Sequence, residues 1–163
     1  LLQLEVDLGV VERAIALSGG RVILNPAPAR RLPESLLRRV DVLVPNQSEL
    51  ALLTGGPMPE RVSDAIRLAG RLEGPGAVVV TLGSRGALVV AGGRSEHVAA
   101  PVVEAVDPTG AGDAFCAGLA DGLVRGLDLL GATSWAVRCG AAAATRWGAQ
   151  ASLPTAADVE ALA

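Results

Sequence analysis

The chain has 163 residues, half of them apolar, with a mean hydropathy of +0.44 and only 19% charged. That balance excludes a disordered segment and supports one domain with a real core. The net charge of −3 and pI of about 5.1 exclude a basic nucleic-acid footprint, and no apolar run reaches the ~18 residues of a membrane-spanning helix.

Strand and helix patterns alternate along the chain. Residues 1–4 read as a buried strand end, and 8–17 as a helix with apolar positions at 10, 11, 14, 15 and 17, stopped by Ser18-Gly19-Gly20. Residues 21–24 form a strand, 26–33 a proline-punctuated loop, 33–40 a short helix with Pro33 in its first turn, and 41–44 another strand. Asn46 followed by Glu49 has the spacing of a capping box for a helix to residue 53. An amphipathic helix over 60–72 ends at Gly74-Pro75-Gly76. The continuous apolar, β-branched run 77–82 is the pattern of a parallel strand covered on both faces. A turn at 83–86, a strand at 87–91, a Gly92-Gly93 turn and an edge strand at 95–100 predict a small antiparallel flank. Helices follow over 111–125, about 130–146, and briefly after Pro154. No repeat or charged linker interrupts this pattern, so residues 1–163 read as one α/β unit with ligands expected outside the carboxyl ends of its strands. Cys116 and Cys139 form no close motif and read as small buried residues in a reducing compartment.

The chemistry concentrates in Asp107-Pro108-Thr109-Gly110-Ala111-Gly112-Asp113-Ala114-Phe115, which opens a long helix. Residues 110–112 lack bulk, so their backbone N–H groups can approach a ligand closely. The first turn of a helix has unpaired amides and a partial positive charge, an anion site suited to a transferring phosphoryl group. Asp113 at the same helix start can take a proton from an attacking hydroxyl. An Asp there would also stabilise the helix by ~0.3–1 kcal/mol with no further role, but a cap needs one carboxylate and not the whole string. All fourteen basic residues are Arg, so phosphate must be held without a Walker-type lysine. There is no P-loop, and Phe115 stands where a dinucleotide fingerprint would need its third glycine.

The Asp-x-x-Gly-Ala-Gly-Asp string resembles a signature of the ribokinase-like (PfkB) family of carbohydrate kinases. Leu1-Leu-Gln-Leu-Glu5, Asn25-Pro-Ala-Pro28, Pro45-Asn46-Gln-Ser-Glu49, Thr81-Leu-Gly-Ser-Arg-Gly86 and Gly148-Ala-Gln150 fall in the family's order. The resemblance implies a three-layer ribokinase-like α/β sandwich. It also implies ATP-dependent phosphorylation of a sugar hydroxyl, D-ribose to ribose 5-phosphate, in the cytoplasm, with Mg²⁺ and a monovalent cation, K⁺. It makes Asp113 the base, in contact with the sugar, and the amides of Gly110, Ala111 and Gly112 the anion hole. It assigns Glu5 to the sugar. Asn46, Thr81, Leu82, Gly83, Ser84, Arg85, Gly86 and Gly112 fall to the nucleotide, and Glu49 to water-bound Mg²⁺. Asp107, Thr109, Ala143, Arg146, Gly148 and Ser152 would surround K⁺. The helix over 136–145 has neither the Asn nor the His that the family often turns toward adenine, so no adenine contact is assigned.

The family also carries an N-terminal portion with further strands, a β-lid over the sugar and a glycine-rich sugar signature, none of which occurs in this sequence. The chain lacks an initiator Met and any signal-peptide pattern, and it starts inside a strand pattern. It therefore reads as the C-terminal part of the fold, with the lid, through which full-length relatives would form homodimers, absent. The expected consequence is weak nucleotide binding and negligible turnover by the chain alone, since transfer requires a positioned hydroxyl and excluded water. Another sugar or nucleoside kinase of the family, a non-catalytic nucleotide-binding remnant, and a structural module remain alternatives.

Overall fold

The computed structural model describes residues 1–162. They form two compact units: Leu1–Leu82 with Leu88–His97, and Gly83–Ala87 with the chain from Val98 onward.

The first unit carries nearly all of a mixed, mostly parallel five-stranded sheet in the order β1-β2-β3-β4-β5. Its strands are β1 (Ile23–Leu24), β2 (Val42–Leu43), β3 (Ala77–Thr81), β4 (Ala87–Ala91) and β5 (Arg94–Val98). β1 and β2 pair in parallel with Ile23 opposite Val42, and β2 and β3 with Val42 opposite Ala77. Ala77, Val78, Val79 and Val80 are all buried, as a strand covered on both faces requires. The expected strand at 1–4 is a single parallel bridge, Leu2 to Leu24. The strands expected at 21–24 and 41–44 shorten to two residues each, although the ladder runs on, with Val44 N–H donating to Leu24 O at 2.8 Å. β5 is exposed along Arg94–His97, the edge that its weak alternation predicted.

Four helices accompany this sheet: α1 (Leu8–Leu17), α2 (Glu34–Leu37), α3 (Gln47–Thr54) and α4 (Val62–Ala69). Asp7 caps α1 by accepting from Gly9 N–H at 2.8 Å. The helix stops because Ser18 turns extended, with neither following glycine left-handed. α3 does end on a left-handed glycine, Gly55 at φ 62°. α2 and α4 are shorter than their apolar patterns suggested, with flanking residues in turns. One core joins Val11, Ile15, Leu24, Leu36 and Leu43; a second joins Leu50, Leu68, Val78, Val80 and Leu88.

The second unit is built on α5 (Ala111–Val124), α6 (Leu129–Ala143) and α7 (Ala156–Glu160). α5 and α6 approach closely along small residues. A Cβ on Gly118 would lie 2.6 Å from Cys139 Sγ, and one on Gly122 would lie 2.9 Å from Ala132 Cα. α6 ends at Ala143, earlier than expected, where Thr145 and Arg146 N–H groups donate three residues back and tighten the last turn. Cys116 and Cys139 are buried and form no disulfide. Among the described residues, no helix is long and apolar enough to cross a membrane.

Candidate functional site

In the second unit, Gly110 caps the N-terminus of α5 with φ 80°, a left-handed conformation. A Cβ there would sit 2.9 Å from the Ala149 carbonyl oxygen, so both conformation and contact require glycine. Gly112 is different. Nothing lies within 4 Å of the place its Cβ would take, and the residue is exposed. Of the three amides expected to be open, that of Ala111 is in use, donating to Pro108 O at 3.1 Å. The N–H groups of Gly110 and Gly112 have no protein acceptor among the described residues. Asp113, also exposed, stands in the first turn of this 14-residue helix. The geometry is that of a helix N-terminus whose remaining amides and positive dipole end suit an anion.

The turn is braced from behind. Asp107 accepts from Thr109 N–H at 2.9 Å through Oδ1 and from Gly148 N–H at 3.0 Å through Oδ2. The bond from the Thr109 side chain, then those from the Gly148 and Thr109 amides, hold the Asp107 carboxyl below its ordinary pKa. Ser152, fully buried, donates to Ala149 O at 3.0 Å and reaches Thr109 O at 3.4 Å. Val106 and Asp107 N–H groups both donate to Ala144 O. Asp107, Thr109, Gly148 and Ser152 are therefore brought together directly, with buried Ala143 one residue from that shared carbonyl. Arg146 turns its guanidinium to Asp158, which also accepts from the Thr155 N–H and hydroxyl at the cap of α7.

Gly83–Arg85 is a 3₁₀ turn closed by Gly86 N–H donating to Gly83 O at 2.9 Å, with Ser84 exposed. Gly86, at φ 89°, could carry no side chain, because its Cβ would lie 2.0 Å from Val98 O.

In the first unit, Asn46 and Glu49 form a complete capping box. Asn46 Oδ1 accepts from Glu49 N–H at 2.9 Å and Glu49 Oε2 accepts from Asn46 N–H at 2.7 Å. Asn46 Nδ2 also donates to Glu49 Oε1 at 2.9 Å. Glu49 is 7% exposed, and that burial raises its carboxyl above the ordinary value against the lowering effect of the Asn46 N–H. Thr81 stands beside Asn46 across a parallel bridge, its N–H donating to Pro45 O at 2.9 Å. Leu82 is core, so its side chain is closed to a ligand.

Glu5 is exposed, and the backbone around it is held by a residue that the sequence reading did not single out. Arg30 donates through Nη2 to Leu4 O at 3.2 Å and to Val6 O at 3.1 Å, one carbonyl on each side of Glu5. Asn25 adds a bond to Val44 O at 2.8 Å, and Gln3 Nε2 donates to Asn25 Oδ1 at 3.3 Å. No local spacing marks Arg30, because its partners lie 24 and 26 residues away.

Among the described residues, no three Asp, Glu, His or Cys side chains converge on a common point. The donors present fit a hydrated divalent cation near a single carboxylate, or a monovalent cation on backbone carbonyls such as those of Thr109 and Ala149.

A profile described as pfkB family carbohydrate kinase matches residues 5–156. The chain is 36% identical over 160 residues to a ribokinase of Haemophilus influenzae, covering 95% of this chain and 52% of that one. It is 42% identical over 162 residues to a deoxyribokinase of Salmonella typhimurium, with the same coverage, 95% and 52%. The structure of Arabidopsis thaliana ribokinase complexed with ribose and ATP superposes with a TM-score of 0.85 at 30% identity, over 99% of this chain and 54% of that one. The chain thus spans about half the length of the relatives it matches.

Proposed function

The chain belongs to the pfkB family of carbohydrate kinases, and we propose that it transfers the γ-phosphoryl group of ATP to a pentose hydroxyl, converting D-ribose to ribose 5-phosphate in the cytoplasm. In this reading residues 1–163 are the C-terminal, nucleotide-binding and catalytic part of a single ribokinase-like domain.

One observation carries the assignment. Gly112 has no protein neighbour that requires a glycine, its amide has no protein acceptor among the described residues, and it stands beside Asp113 at the positive end of α5. That combination leaves room for a phosphoryl group against the amides of Gly110 and Gly112, with Asp113 receiving the proton of the attacking hydroxyl. Phosphoryl transfer passes through a loose transition state, so positioning and charge stabilisation do most of the work. Glu5, with Arg30 holding its backbone, is assigned to the sugar. Asn46, Thr81 and the Gly83–Gly86 turn are assigned to the nucleotide. Glu49 would hold water-bound Mg²⁺, which neutralises the phosphates when bound. The carbonyls around Asp107, Thr109 and Ser152 would hold K⁺.

A second reading within the same chemistry, 2-deoxyribose in place of ribose, is favoured by the higher identity to the Salmonella deoxyribokinase.

The test is a chimera in which this chain replaces its matching portion of the Haemophilus influenzae ribokinase, assayed for ATP-dependent phosphorylation of ribose and of 2-deoxyribose. The expected result is transfer to ribose, reduced roughly 10²–10⁴-fold by Asp113→Asn with ATP affinity unchanged. A folded chimera that binds ATP and transfers to neither sugar would refute the assignment, and preference for 2-deoxyribose would establish the second reading.

A further inference from the structure

The second unit contains a concave cleft of about 360 Å³ walled by Ala117, Gly118, Trp135, Leu153, Pro154 and Val159. None of these residues belongs to the site proposed above. Most of the wall is apolar, and one end is polar. There, Asp121 Oδ2 accepts from Trp135 Nε1 at 2.9 Å and forms an ion pair with Arg125, whose Nε lies 2.9 Å away. One carboxylate is thereby engaged by an indole N–H and a guanidinium. Arg125 meets that carboxylate through Nε, and its two terminal nitrogens make no hydrogen bond among the described residues. Arg138 brings a second guanidinium to the same indole: Arg125 and Arg138 lie 5.0 and 5.2 Å from the ring centroid. Arg138 Nε is buried without a hydrogen-bond partner. Two guanidinium groups against one carboxylate leave a net positive charge beside an aromatic wall. Cys139 adds no negative charge, since burial first, and then the Asp121 carboxylate, push its thiol up to about 11.

A cleft of this size, mostly apolar with a few convergent polar groups, has the character of a small-molecule site. A planar guanidinium edge pairs with a carboxylate through two parallel N–H bonds, which a lysine could not supply. We propose that this cleft binds a small aromatic carboxylate, its ring lying against Trp135, Pro154 and Val159 and its anionic group on the terminal nitrogens of Arg125. The inference does not depend on the kinase assignment, because no residue is shared.

The experiment uses the 163-residue chain with Trp147→Phe, so that Trp135 supplies the single indole N–H resonance, and two probes, 2-naphthoate and its neutral analogue 2-naphthamide. The expected result is a saturable shift of the Trp135 N–H by 2-naphthoate, with the amide at least about tenfold weaker, as loss of a bond to a charged group implies. Arg125→Gln should bring the acid down to the level of the amide. Ala117→Phe, at an exposed position, should remove binding of both. Leu153→Glu, also at an exposed position, should remove binding of the acid by charge repulsion and serves where Ala117→Phe lowers the melting temperature. No shift of the Trp135 resonance at millimolar probe, equal binding of acid and amide, or undiminished acid binding in Arg125→Gln would overturn the proposal.

Discussion

Gly110 and Gly112 stand two residues apart in one motif, and different forces require them to be small. At Gly110 the protein itself sets the demand, through a left-handed φ and the Ala149 carbonyl. Gly110→Ala should therefore lose about 1–3 kcal/mol of stability, read by urea denaturation. At Gly112 no protein group sets it, so Gly112→Ala should melt like the parent while weakening ATP binding, because its methyl would enter the space that the proposed phosphate site requires. If both variants lose stability equally, Gly112 is a packing residue. Glu49 gives a pH prediction at the same scale. Burial raises its folded pKa, so the folded chain binds that proton more tightly than the unfolded one. The stabilisation this provides is full below the ordinary carboxylate value and is lost as pH rises through the folded value. Glu49→Gln keeps an acceptor for the Asn46 N–H and should flatten that part of the stability–pH curve; an unaltered slope would show that the titration belongs to another group.

Among the elements, α3 carries a structural role, the capping box, on the residue proposed to meet the nucleotide. The capping box was legible in the Asn46–Glu49 spacing because capping is a local rule with a fixed offset. Asn46→Ala should cost about 1 kcal/mol in thermal or urea unfolding. Asn46→Ser retains a capping oxygen and should restore most of that loss, so any deficit in ATP affinity that remains in Asn46→Ser measures the nucleotide role alone. The α5–α6 seam makes a sharper demand. Adding a methyl at Gly118 forces Cys139 away, and Gly118→Ala should destabilise by about 1–3 kcal/mol, as overpacking does. α1 was legible to the residue, since its amphipathic face and the following Ser-Gly-Gly agree. β1 and β2 were legible as strands but not in length. Their limits depend on which ladder bonds a distant neighbour completes, and that information is not carried by the strand.

For the molecule as a whole, the alternation of strand and helix and the glycine-rich start of α5 were readable because each depends on neighbours within a few residues. The Arg30 clamp on the backbone beside Glu5, and the Arg125–Asp121–Trp135 end of the second cleft, were not. The first depends on partners 24 and 26 residues away, and the second on Trp135, which a separate helix brings to the local Asp121–Arg125 pair. The absence of lysine has a global consequence of its own. If phosphate is held by amides, hydroxyls and a metal ion, acylation with an amine-directed reagent touches only the N-terminus. ATP-induced thermal stabilisation should then survive complete acylation; its loss would mean that the N-terminal amine takes part in binding.

The chain has two indoles and no tyrosine, and the two occupy opposite environments, Trp135 at 8% exposure and Trp147 at 76%. Trp147 precedes Gly148, whose amide is tied to Asp107. The emission of the two should therefore separate, with exposed Trp147 responding to the stretch of backbone that braces the helix start and Trp135 responding to the packing of α5 against α6.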